Sequence, residues 1–242
     1  MRAKLTLEYD GTHFLGWALQ PGQRTVAGVL TDALNTLERR SDVVLTVAGR
    51  TDRGVHALGQ VCSYDAGELP RLRSLNALLP DDVGVLQAEE VPAGWSARHD
   101  ARSRTYAYRV HTRRTGPSPF ALGRALWWPH AVDVDALHAC AAALPGTHDF
   151  TAFTPTDTEH VRFEREVARA SWSAPDPETL VFEIEADAFM RNMNRVLVGT
   201  MLEVAAGRRS AESFVALLAG APRTAAGPTA APHGLYLMAV RY

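Results

Sequence analysis

The chain has 242 residues, 46% of them hydrophobic, enough to bury a full core in one or two domains. No apolar run approaches the roughly 18–20 residues needed to cross a bilayer. The amino-terminal MRAKLTLEYD alternates where a secretory leader would carry an apolar block, so a cytoplasmic protein without a membrane partner is expected.

In chain order, Ala3, Leu5, Leu7 and Tyr9 recur at the period of a half-buried strand, and the turn Tyr9-Asp10-Gly11-Thr12 follows. Thr25 can cap a helix whose apolar face is Val26, Val29, Leu30, Ala33, Leu34 and Leu37. Strands are expected over Val43–Val47 and Leu58–Tyr64, joined by the loop Ala48–His56. A short helix, Arg71–Leu79, stops at Pro80 and leads to a strand over Val83–Glu90.

The second half opens with a strand over Ser103–Val110 that carries Tyr106 and Tyr108 on one side, then the loop Thr115–Pro119. A helix over Asp133–Leu144 precedes strands at Glu164–Ser173 and Leu180–Ala186. A long helix is expected over Ala188–Ala206, a short one near Ala211–Leu218, and a last strand over Leu235–Arg241. This order predicts an α+β protein: two similar domains, 1–100 and 101–242, with antiparallel or mixed sheets around a central cleft and helices on the outer face. Cys62 and Cys140 lie in no metal-ligand spacing and read as buried or half-buried thiols.

A net charge of −2 argues mildly against nucleic acid, but its distribution is uneven. Of 25 basic residues only Lys4 is lysine, and arginine offers planar bidentate phosphate contacts and base stacking. Arg98, Arg102, Arg104, Arg109, Arg113 and Arg114, with His99 and His111, face only Asp100 in the same stretch. Such a segment suits a focused RNA groove, or equally a solvated strand face.

The most informative run is Ala48-Gly49-Arg50-Thr51-Asp52-Arg53-Gly54-Val55-His56, continuing Ala57-Leu58-Gly59-Gln60-Val61. Asp52 lies between Arg50 and Arg53, cations that hold a carboxylate ionised and able to act as nucleophile or base. Taken alone, T-D-x-G reads as an Asx turn. His56 reads as a loop histidine that supports Asp52.

The whole run resembles the active-site segment of the tRNA pseudouridine synthase A family, A-G-R-T-D-x-G-V-H-x-x-G-Q-V, at every fixed position. Further likenesses follow in order: Tyr9-Asp10-Gly11 through Gly16-Trp17, Asn76 to Pro80, Arg104-Thr105-Tyr106-Ala107-Tyr108, Gly146 to Phe153, and Gly234 to Leu237. The chain departs from the pattern at Ala18 and Ala27, where glutamine is usual, and at Asn194 and Val196.

The resemblance implies a homodimer that converts uridine to pseudouridine at positions 38, 39 and 40 of the tRNA anticodon stem-loop, with no metal or organic cofactor. It makes Asp52 the catalytic aspartate and lays Tyr106 against the target base. It associates Arg50 with flipping the nucleotide and makes Arg195 the arginine that pairs with the aspartate. A non-catalytic RNA-binding protein and a nucleoside or glycoside hydrolase are the alternatives. The hydrolase would ordinarily need a second carboxylate, which the core motif lacks.

Overall fold

The computed structural model describes residues 1–158 and 161–242. The chain divides into two compact units, Met1–Arg102 with Tyr236–Tyr242, and Ser103–Leu235. Both mix strands and helices, so the α+β class read from the alternating segments is what the structure has. Among the described residues, no helix is long and apolar enough to cross a membrane.

In the first unit, β1 (Arg2–Tyr9) lies between β3 (His56–Asp65) and β4 (Val83–Val91), antiparallel to both. Its alternation is used as expected: Ala3, Leu5, Leu7 and Tyr9 are all buried. The closing strand β10 (Leu235–Arg241) pairs in parallel with β3, Tyr236 opposite His56 and Leu237 opposite Ala57, so the sheet is mixed. The expected strand over Val43–Val47 shrinks to β2 (Thr46–Val47), paired to β3. Val44 is exposed there, so an apolar run alone did not make a full strand.

Thr25 caps α1 (Val26–Glu38) by accepting the Gly28 N–H, and the buried face is Val26, Ala27, Leu30, Ala33 and Leu34. The helix stops where Arg39 turns left-handed at φ 53°. α2 spans only Leu72–Asn76, shorter than expected. No side chain caps its start, and Asn76 is instead drawn into bonds with both backbone groups of Val85.

The second unit orders its antiparallel strands as β5 (Ser103–His111), β9 (Thr179–Ala186), β8 (Glu164–Asp176) and β7 (Gly146–Asp149). A two-residue strand, β6 (Leu126–Trp127), runs parallel to β5. Its helices are α3 (Val134–Ala142), α4 (Met193–Ala205) and α5 (Ala211–Ala216). α3 packs on α4, α5 and β8, and Phe150, Phe153 and Phe214 form a fully buried aromatic chain with centroids 5.9 and 6.0 Å apart. Cys62 and Cys140 are buried thiols, and desolvation pushes their pKa values up to about 12 and about 11.

The long helix does not begin at Ala188. Asn192 is left-handed at φ 62°, and α4 starts one residue later at Met193. An L-residue in that region cannot continue a right-handed helix, so the apolar pattern runs ahead of the backbone. The segment 222–231 then lies along α4: Ala230 donates its N–H to the Arg195 carbonyl at 3.0 Å, and Arg195 Nε returns a bond to the Ala230 carbonyl at 2.7 Å. Contact is so close that a Cβ on Gly199 would sit 1.9 Å from the Pro228 carbonyl oxygen. Gly199→Ala should therefore overpack this seam by about 1–3 kcal/mol, read as a fall of several degrees in the thermal midpoint. An unchanged midpoint would show that the seam yields.

Candidate functional site

The loop between β2 and β3 carries Arg50 and Asp52. Its side chains alternate: Thr51 is buried at 6% exposure, Asp52 is half-buried, and Arg50 and Arg53 are exposed. Thr51 Oγ1 shares a 2.7 Å hydrogen bond with the Tyr9 hydroxyl at the end of β1, and its carbonyl accepts the Trp17 N–H at 3.0 Å. Gln60 of β3 donates through Nε2 to the Tyr9 hydroxyl at 3.2 Å and to the Gly49 carbonyl at 2.8 Å. The loop's entry and its Thr51 are thus tied to the sheet.

Trp17 can reach Thr51 because Gly16 precedes it. Gly16 has φ 96°, and a Cβ there would lie 2.8 Å from the Thr51 carbonyl oxygen. Beyond Asp52, the Asp52 carbonyl accepts the Val55 N–H at 3.1 Å, which closes a turn over Arg53 and Gly54. The motif T-D-x-G thus closes a main-chain turn, and Asp52 itself is half-buried.

His56 is not a loop residue: it begins β3 and is 2% exposed. Its Nδ1 accepts the Gly11 N–H at 3.0 Å, Asp10 Oδ1 lies 3.2 Å from the same nitrogen, and its ring stacks on Tyr236 at 4.6 Å. A ring acceptor spent on the backbone of the 10–12 turn is a support for the loop's exit. Asp10 Oδ1 also receives the Thr12 N–H at 3.0 Å, which organises that turn.

The second unit holds Tyr106 and Arg195. Tyr106 lies on β5 opposite Ile184, is 7% exposed, and meets Phe189 edge-on at 5.0 Å. Tyr108, two residues on, is fully buried, and its hydroxyl donates to the Ala231 carbonyl at 2.6 Å. Both tyrosines of the pair are therefore buried, Tyr108 completely and Tyr106 nearly so. Arg195 is half-buried on the first turn of α4, where Nε bonds the Ala230 carbonyl and Nη1 the Asn192 side-chain oxygen at 2.9 Å. The left-handed Asn192 that delays the helix is thus also an anchor for this guanidinium. His233, near enough to feel Arg195, has its pKa lowered first by burial and secondarily by that cation.

The Tyr9–Thr51–Gln60 cluster was not legible as a unit, although all three residues fall within recognisable runs. Its members lie 42 and 51 residues from Tyr9 in sequence, and only the β1–β3 pairing brings them together. Three of the four departures from the family pattern, Ala27, Asn194 and Val196, are buried positions. They are matters of packing within each unit.

A family model described as tRNA pseudouridine synthase matches residues 6–100 and 140–242. That span sets the class: an α+β pseudouridine synthase. Proteins named tRNA pseudouridine synthase A match along nearly all of their own length. That of Bacillus pumilus is 42% identical over all of this chain and 99% of its own. That of Lacticaseibacillus casei is 41% identical over 99% and 98%, and that of Streptomyces griseus 42% over 100% and 88%. The chain belongs to the tRNA pseudouridine synthase A family. A solved Cbf5-Nop10-Gar1 complex shares 10% identity over 83% of this chain and 44% of that one, at a TM-score of 0.39, too slight a likeness to bear on the fold.

The buried hydroxyl under the loop has a measurable signature. Burial pushes the Tyr9 pKa up to about 12, against the opposing bonds to Thr51 and Gln60, and burial also raises Tyr64 and Tyr108. A folded pKa above the unfolded value of about 10 means that the stabilisation is complete below pH 10 and is lost as pH rises through the folded value. Tyr9, Tyr64 and Tyr108, three of the six tyrosines, should therefore stay protonated at pH 11 when native absorbance is titrated, and ionise there only on unfolding. Full ionisation of the native protein by pH 11 would contradict the buried cluster.

Proposed function

We propose that the protein isomerises uridine to pseudouridine at positions 38, 39 and 40 of the tRNA anticodon stem-loop, with Asp52 as the catalytic aspartate. The observation that carries this reading is the Asp52 loop. A buried Thr51 is clamped from β1, from Trp17 and, through Gln60, from β3, and the adjoining carboxylate is left half-buried between two exposed arginines. Full-length kinship with proteins named for this activity supports it.

The reaction breaks the bond from ribose C1′ to uracil N1, turns the detached base and joins C1′ to C5. N1 gains a proton and C5 loses one, so no redox partner is required. A stacked base cannot turn, so the nucleotide must leave its helix at a cost of a few kcal/mol. Exposed Arg50 is suited to hold a phosphate and occupy the vacated stack. Tyr106, braced by Phe189, offers a ring face or edge to the extruded base, and its hydroxyl is a candidate acceptor for the C5 proton. Arg195 takes the part of the aspartate's counter-charge, and an arginine bonded to main-chain carbonyl and Asn192 is oriented in advance. On the same reading the enzyme acts as a cytoplasmic homodimer without metal or organic cofactor.

With tRNA labelled by tritium at uridine C5, the wild-type protein should release label to water without free uracil. Release of uracil would instead identify a hydrolase, and binding without either signal an RNA-binding adaptor. Asp52→Asn should retain the fold and tRNA affinity while lowering turnover at least a thousandfold. A near wild-type rate would remove Asp52 from the chemistry. Tyr106→Phe should keep tRNA affinity while slowing turnover, and an unchanged rate would exclude the hydroxyl as proton acceptor.

A further inference from the structure

We propose that residues 113–125 form a preformed finger whose tip, Phe120, stacks on an unpaired base of the RNA substrate. This rests on the RNA-substrate reading above and adds a contact to it.

Phe120 is 92% exposed and Leu122 61% exposed, at the tip of the excursion between β5 and β6. Exposed apolar tips are usually slack. This one is built. The Ser118 carbonyl accepts the N–H groups of Ala121 and Leu122 at 3.0 and 3.1 Å, and the Ala121 carbonyl those of Arg124 and Ala125, both at 3.0 Å. At the base, Trp127 Nε1 donates to the Arg113 carbonyl at 2.8 Å, while Leu126 and Trp127 pair with Val110 and His111. Pro117 and Pro119 stiffen the approach to the tip. The loop is therefore ordered without burying its own aromatic, the arrangement that lowers the entropic cost of binding.

Charge selects the partner. From Val110 to Val132 there is no Asp or Glu, while Arg113, Arg114 and Arg124 are present. Arg113 is paired with Glu178 at 2.8 Å, and Arg114 and Arg124 are exposed. A second copy meeting this patch with its own equivalent patch would bring like charges together, whereas a polyanion would neutralise them. An aromatic flanked by arginines is what unpaired nucleic-acid bases stack on, with little dependence on which base it is. The finger should therefore contribute affinity and leave the chemical step untouched.

The test compares wild type, Phe120→Ala and Phe120→Trp, measuring affinity for an unmodified tRNA transcript, turnover at saturating tRNA, thermal midpoint and mass in solution. Phe120→Ala should weaken binding roughly ten- to hundredfold. Its thermal midpoint, saturating turnover and mass should match wild type, and Phe120→Trp should restore affinity. Equal affinity in wild type and Phe120→Ala overturns the finger alone. A change in mass with Phe120→Ala also overturns it, because the patch then serves a second copy. A wild-type protein that does not bind tRNA overturns the finger together with the function proposed above.

Discussion

The organisation of the first unit around its loop depends on one buried polar contact, the bond between Thr51 and the Tyr9 hydroxyl. A threonine hydroxyl and a phenol can be taken out of water only if both are satisfied. Here they satisfy each other, with Gln60 closing the arrangement and tying it to the Gly49 carbonyl. In a tight loop, neighbouring side chains are directed apart. Beside the buried Thr51, Asp52 is half-buried and Arg50 and Arg53 are exposed. The low-dielectric surroundings make each bond stronger and its loss more costly, so the loop has one conformation to choose.

The second unit holds a charged side chain with one main-chain carbonyl and one side-chain amide. Arg195 is held by the Ala230 carbonyl and Asn192, and the segment that supplies Ala230 lies so close to α4 that Gly199 has no room for a side chain. Tyr106 sits on a strand paired throughout with β9 and is braced by Phe189. Tyr106 and Arg195 thus stand on regular elements and are held there by their neighbours, which leaves these two side chains little freedom to lose when a ligand binds.

Much of this was legible from the residues. The alternation in β1, the capped helix α1, the strands β5 and β9 and the span of β10 follow from period and turn chemistry, because each is decided by neighbours within a few residues. Misses occurred where distant contacts decide. The strand over 43–47 was cut to two residues, α2 was shortened with Asn76 drawn to Val85, and α4 was delayed by a left-handed Asn192 that serves Arg195. The loop motif drew attention to Asp52, and it also contained Thr51 and Gln60. Nothing along the chain said that they meet Tyr9.

The sequence by itself determined the α+β class, the family, and the residue types able to carry the chemistry. These depend on local period and on runs of adjacent residues. Only the tertiary structure decided which of those side chains are inward and which outward, that His56 is a buried support at a strand start, and that the chain's last strand returns beside the first unit's β3. Such outcomes depend on hydrogen bonds and close approaches between residues tens of positions apart. A one-dimensional pattern carries no record of those distances.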